Sequence, residues 1–260
     1  MIAAIAVVIP ARDEQRLIGA CLDSLRHARN HPDVSGLPVT VVVAADSCRD
    51  RTVSVARRHW ADIVEVAARS AGATRALGTV RALDLVRARN TELTDGQLWL
   101  AHTDADSRVP RNWLADQLAH ATAGAHAVVG QVQVRDWSGH TATTAAHFMH
   151  HYFVHHYDQQ TQVAPAPAPG QSRAQRLHPH VHGANLGVRA DAYLAVGGFP
   201  QLAVGEDRAL VTALEQARYR VLASAGAPVV TSARRDPRAP GGFGHFLLDL
   251  ETHTAQSQDQ

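Results

Sequence analysis

Lysine is missing from this chain: all 25 basic residues among its 260 are arginine. A P-loop needs a lysine on the β- and γ-phosphates and a Schiff-base enzyme needs a lysine amine, so both classes are excluded. Cysteine is nearly missing as well. Cys21 and Cys48 are too few for a disulfide framework or a structural zinc site, and a reducing cytoplasm is the expected compartment. No apolar run approaches the roughly 20 residues that span a bilayer. The N-terminal "MIAAIAVVIP" meets charges at once in "ARDE" and reads as a buried strand, not a leader. No integral membrane segment is expected, which leaves a cytoplasmic protein, free or peripheral to a membrane. A net charge of +1 lacks the basic excess of a nucleic-acid-binding surface, so no nucleic-acid partner is expected. Glycine is missing where a dinucleotide fingerprint would need it, in "IPARDE" after the first apolar run, and this argues against a nicotinamide or flavin cofactor.

What is present is ordinary core material, with 45% hydrophobic residues. Short β-rich runs at 5–10, 39–45, 63–67 and 98–104 alternate with amphipathic segments at 14–29, 50–59 and 72–90. That order predicts an α/β, Rossmann-like fold with a mostly parallel central sheet flanked by helices. Ligands in such sheets bind beyond the carboxyl ends of the strands. Acids stand at three of those ends: Asp13 and Glu14, then Asp46, then Asp104 and Asp106. They are expected to converge on one crevice. Further on come a helix near 111–123, a strand near 126–134 and a helical, histidine-rich stretch "TTAAHFMHHYFVHHYDQQ". A Pro/Ala/Gly-rich segment near 162–177 reads as a mobile loop. "GANLGVRADAYLAVGGF" predicts a strand, a helix and a glycine turn, and "GEDRALVTALEQARYRV" a helix opened by Glu206 and Asp207. Residues 236–260 read as a C-terminal tail to a single domain, 1–260.

Asp104 and Asp106 lie one residue apart, so on an extended segment both side chains face the same side and repel. A bound cation, an arginine such as Arg108, or water must compensate. A plainer reading makes Asp106 the cap of a helix starting near Pro110. Asp46 can likewise be a turn residue, and Glu206 and Asp207 suit a helix N-terminus through the macrodipole alone. His147, His151 and His155 fall on one helical face, and His178, His180 and His182 alternate as on a strand. Either set can ligate a transition metal, but no partnered cysteine or glutamate motif accompanies them, and a polar cleft wall or solvated surface is the preferred reading.

The ordered set "VVIPARDE", "ADSCRDRT", "TDADSRVP", "GANLGVRADAYLAVGGF" and "GEDRALVTAL", spread over residues 7–216, resembles the family 2 glycosyltransferases. The resemblance implies the A-type nucleotide-diphospho-sugar transferase fold and a hexosyl-type transfer from a nucleotide-diphospho-sugar donor to an acceptor hydroxyl. It makes 1–110 the nucleotide-sugar-binding half and 111–235 the acceptor-binding half. It assigns Pro10, Ala11, Asp13 or Glu14, and Asp46 to the nucleotide, and Asp104, Ala105 and Asp106 to the donor diphosphate. Asp104 and Asp106 would hold a divalent cation, Mg2+ or Mn2+. Asp207, with Glu206 beside it, would supply the catalytic base of an inverting transfer, and His182, Gly183 and Asn185 would lie on the acceptor side. Three departures stand out. Ala45 replaces an acid before the turn, Arg75 stands where the family commonly has asparagine, and "VVTSARRDP" lacks the histidine that many relatives use as a further metal ligand. Arg69 and Arg75 are expected to face the nucleotide or its phosphates. An apolar strand followed by Asp-x-Asp also opens the aspartate-nucleophile phosphatases, although Arg108 stands where those carry threonine or valine. A catalytically inactive nucleotide-sugar-binding module is the other alternative.

Overall fold

The computed structural model describes residues 1–150, 152, 181–237 and 241–258. The segment near 162–177 read as a loop, and His151, His155, His178 and His180, lie outside the described residues.

Apolar residues drive the first half. Strands β1 (Ala4–Ala11), β2 (Val39–Asp46), β3 (Asp62–Val66) and β4 (Leu98–His102) are joined by helices α1 (Ile18–Arg29), α2 (Thr52–Arg58) and α3 (Ala71–Arg89). Because successive strand side chains point to opposite faces, each buried strand feeds two cores. Ile5, Val7, Ile9, Val41, Val43 and Trp99 pack with α1 and α4 (Trp113–Thr122) on one face. Ala4, Ala6, Val8, Val42, Leu98 and Leu100 pack under α3 on the other. Helix α3 sits so close that a Cβ on Gly78 would meet Val8 Cγ1 at 2.8 Å, so glycine sets the helix-to-sheet distance there. Helix α1 begins at Ile18, later than the expected residue 14, after a turn in which the amides of Leu17 and Ile18 both bond the Glu14 carbonyl (3.0 Å each), while the amides of Glu14 and Gln15 bond Thr52 Oγ1 (2.7 Å) and Asp50 Oδ2 (3.0 Å).

The second half adds β5 (Ala127–Val134), α5 (Ala142–Met149), β6 (Leu186–Arg189), α6 (Ala190–Ala195), α7 (Glu206–Gln216), β7 (Val221–Thr231) and α8 (Phe243–Gln258). Among the described residues these strands make one sheet in the order β3-β2-β1-β4-β6-β5-β7. The β3-β2-β1-β4 block and the β5–β7 pair are parallel, while β6 runs antiparallel to both β4 and β5. The stretch read as a tail carries α8, which packs Leu247 and Phe243 against Phe148 of α5 and Val132 and Val134 of β5. Among the described residues no helix is long and apolar enough to cross a membrane.

Candidate active site

The carboxyl ends of β1, β2 and β4 and the first turns of α3 and α7 open onto one crevice of about 760 Å³. Pro10, Ala11 and Glu14 reach it from β1. Asp13 does not. Its backbone is left-handed (φ 54), and its carboxylate turns to the β2–α2 loop, accepting bonds from the amides of Arg49 (2.7 Å) and Asp50 (3.3 Å). Glu14 is buried and paired fork to fork with Arg234, at 2.7 and 2.6 Å. Asp46 ends β2 on the crevice wall and accepts bonds from Ser47 Oγ (3.1 Å) and the Arg69 amide (3.0 Å). The exposed Arg69 side chain stands on the crevice lining.

Strand β4 stops at His102, and the Asp104 carbonyl accepts the Ser107 amide at 3.0 Å. Asp104 and Asp106 therefore sit on a turn, not on an extended segment. Both still line the crevice, but each meets a different arginine: Asp104 bonds Arg75 Nη2, and Asp106 lies 3.3 Å from Arg234 Nη2. Arg108 is not the compensating charge, since its backbone pairs with Val230 (2.7 and 3.0 Å) and the residue is exposed. That pairing, with Ser107 Oγ bonded to Thr231 Oγ1 at 3.1 Å, delivers the end of β7, and so Arg234, to Asp106. Asp106 does not cap a helix; α4 starts at Trp113 behind Asn112. Burial, opposed by Arg234 and reinforced by Asp104 and Glu14, pushes the Asp106 carboxyl up to about 7.

On the far wall Arg75 is a brace. It is 4% exposed, and besides Asp104 it donates from Nε to Glu206 Oε1 (3.0 Å) and from Nη1 to the Gly183 carbonyl (3.2 Å). Arg75 stands on the crevice lining, where all three of its nitrogens donate to protein acceptors. A Cβ at Gly183 would lie 2.6 Å from Arg75 Cζ, so a side chain there would push the guanidinium off its present position. The Gly183 amide donates to Asp207 Oδ2 at 2.7 Å, which fixes that carboxylate on the crevice wall. Burial holds the Glu206 carboxyl above the usual range against the Arg75 charge. His182 lines the crevice with its Nε2 3.0 Å from Tyr152 Oη. Asn185 is elsewhere. It is buried among α4, β5 and β7, accepting from Trp113 Nε1 (2.8 Å) and donating to the carbonyls of Gln131 (2.9 Å) and Ala227 (3.0 Å).

The sequence model of glycosyl transferase family 2 matches residues 6–194. The chain belongs to that family. No curated protein matches it by sequence. Among solved structures, this family 2 chain resembles S. aureus TarS 1-349 in complex with UDP-GlcNAc (14% identity, TM-score 0.59, 96% of this chain and 66% of that one). It also resembles the mannosyltransferase PcManGT from Pyrobaculum calidifontis in complex with GDP-Man and Mn2+ (19%, 0.57, 98% and 70%). A third likeness is to glucosyl-3-phosphoglycerate synthase from Mycobacterium tuberculosis with Mn2+, UDP and glucosyl-3-phosphoglycerate (15%, 0.51, 96% and 79%). At these identities the likeness is one of fold. The chain spans 60 to 66% of the TarS 1-349 chains.

The donor set of the family 2 crevice suits a hard cation. Glu14, Asp46, Asp104, Asp106, Glu206 and Asp207 bring six carboxylates to the crevice beside Arg12, Arg69, Arg75, Arg208 and Arg234, and carboxylate oxygens are the ligands that Mg2+ or Mn2+ prefers. Asp13, Cys48 and Asp50 are the one group of three potential metal ligands whose donor atoms lie within 4.8 Å of one another among the described residues. Their carboxylates already bond the amides of Arg49, Gln15 and Thr52, so the group staples two loops together. Arg234 went unforeseen in the sequence. The signal was the arginine pair in "SARRDP" just after the last strand, where the carboxyl ends collect acids.

Proposed function

We propose that this family 2 glycosyltransferase moves a sugar from a nucleotide-diphospho-sugar to an acceptor hydroxyl with inversion, using a divalent cation at Asp104 and Asp106. The observation that carries the reading is the Arg75 brace: one guanidinium ties the Asp104 turn to Glu206 and Gly183, which places the Asp207 carboxylate on the same crevice. Residues 1–110 then serve the donor and 111–235 the acceptor. The UDP-GlcNAc and GDP-Man complexes of the similar folds support a nucleotide sugar as donor.

Asp46 and the β1 end hold the nucleoside side, and the Asp104–Asp106 turn faces the diphosphate. A cation there supplies neutralisation of charge developing on the leaving diphosphate. Asp207 takes the acceptor proton. Its two oxygens accept backbone amides of Gly183 and Arg208 (2.7 Å each), and each keeps a lone pair for a hydroxyl. A carboxylate is basic enough, because the hydroxyl becomes acidic only as its bond to the anomeric carbon forms. A base across the ring from the leaving group gives inversion. Asp207→Asn keeps size and removes basicity, so turnover is expected to fall by about 10²–10⁴ with donor affinity little changed. Near-parental turnover in that variant, or a product that keeps the donor's anomeric configuration, rejects the assignment.

A further inference from the structure

The guanidinium of Arg234 holds two acids of the donor side at once, and it does so with donors to spare. It reaches Glu14 through both terminal nitrogens and Asp106 through Nη2. Two of its five N–H groups donate hydrogen bonds, both to Glu14, and the Asp106 contact is an ion pair at 3.3 Å. Nε and the second hydrogen on Nη1 have no partner among the described residues. The side chain is 24% exposed and lines the crevice beside Asp104 and Asp106. Arg75 also bonds three acceptors, Asp104, Glu206 and the Gly183 carbonyl, and differs in burial, its side chain being 5% exposed. Arg12, Arg69 and Arg208 also line the crevice, but they are exposed at its rim. Among the described residues lining the crevice, Arg234 is thus a partly exposed arginine held by a buried acid, Glu14.

Its position follows from the fold. The Arg108–Val230 bridge lays the end of β7 against the Asp104–Asp106 turn, and three residues after Thr231 the chain places a permanent cation there. Arginine suits this place because its planar fork matches phosphate oxygens two at a time and its charge does not depend on pH.

Building on the donor reading above, we propose that Arg234 is a diphosphate-binding residue: a fixed cation that gives the crevice affinity for nucleoside diphosphates without any divalent metal. Glu14 acts as its restraining counter-charge. It aims the guanidinium and competes with the diphosphate for it.

Calorimetry with UDP, GDP and dTDP tests this, each titrated in excess EDTA and again with Mn2+, into the parent, Arg234→Gln and Glu14→Gln. The parent is expected to bind one of these nucleotides in EDTA, and its monophosphate more weakly. Arg234→Gln should lower the affinity in EDTA by about 10- to 100-fold, the worth of hydrogen bonds to a charged group. Glu14→Gln should move it the opposite way, because it frees donors. A merely structural ion pair predicts instead that both variants weaken binding together, and that result overturns the proposal. Binding by the parent with Mn2+ but none in EDTA also overturns it, while leaving the donor reading standing. Failure of all three nucleotides with Mn2+ rejects the donor reading and this proposal with it. Should Arg234→Gln not fold, as judged by its urea transition, the opposite signs are read from Glu14→Gln and Arg234→Lys, the latter keeping the charge but losing the fork.

Discussion

His102, the last residue of β4, is fully buried, and neither ring nitrogen has a partner among the described residues. It packs edge-on against Phe199, with ring centres 4.9 Å apart. Burial, and then the nearby Arg75 charge, hold its pKa well below the ordinary 6.5. The native ring stays neutral, while the unfolded chain protonates it as pH falls below 6.5. Stability is therefore full above that value and is lost on acidification, by up to about 1.4 kcal/mol for each pH unit until the native ring also titrates. His102→Leu removes this contribution, so urea transitions at pH 7.5 and 5 should show a smaller acid loss in the variant than in the parent. Equal losses would mean that the ring is not kept neutral. At this scale the sequence was readable in part. Asp46, Asp104, Asp106 and Asp207 could be singled out because acids at strand ends and helix starts mark a crevice. Which of Asp13 and Glu14 faces it could not, since a single left-handed residue decides. Asn185 looked like an acceptor contact only because its bonds to Trp113 and the carbonyls of β5 and β7 are long-range.

Helices α3 and α7 and the turn after β4 meet through one side chain, so Arg75 is an interaction between elements more than a local one. Removing a single partner from a buried ion pair leaves charge without compensation and costs about 3–5 kcal/mol. Arg75→Met should lower stability by that order in urea unfolding, because Glu206 and Asp104 lose their cation. Adding Glu206→Gln to Arg75→Met should recover part of the loss, a coupling that a double-mutant cycle measures. Additive effects would show that the brace is not shared. The elements themselves were largely legible, since β1 to β4 carry buried apolar runs and the helices between them are amphipathic. The reversed direction of β6 was not, because a four-residue strand has the same side-chain pattern whichever way it runs. Helix α8 hid behind "PRAPGG", whose prolines and glycines read as the start of a tail, while its apolar residues answer to α5 and β5.

For the molecule as a whole, a ligand that binds only the native state stabilises it by mass action, about 2.7 kcal/mol at a hundredfold its Kd. A screen of UDP-, GDP- and dTDP-sugars should therefore raise the melting temperature for one donor, and raise it further with Mn2+. Asp106→Asn should lose the metal-dependent increment while keeping a cooperative transition. An equal increment in parent and variant would remove the cation from Asp104 and Asp106. The contact between Gly183 and Arg75 also constrains how this protein can diverge. A Cβ at 183 would meet the guanidinium of residue 75 in its present position, so a change at one position bears on the other. Among descendants of this sequence, a side chain at 183 should go with an arginine at 75 that has moved off Asp104 and Glu206 or has been replaced.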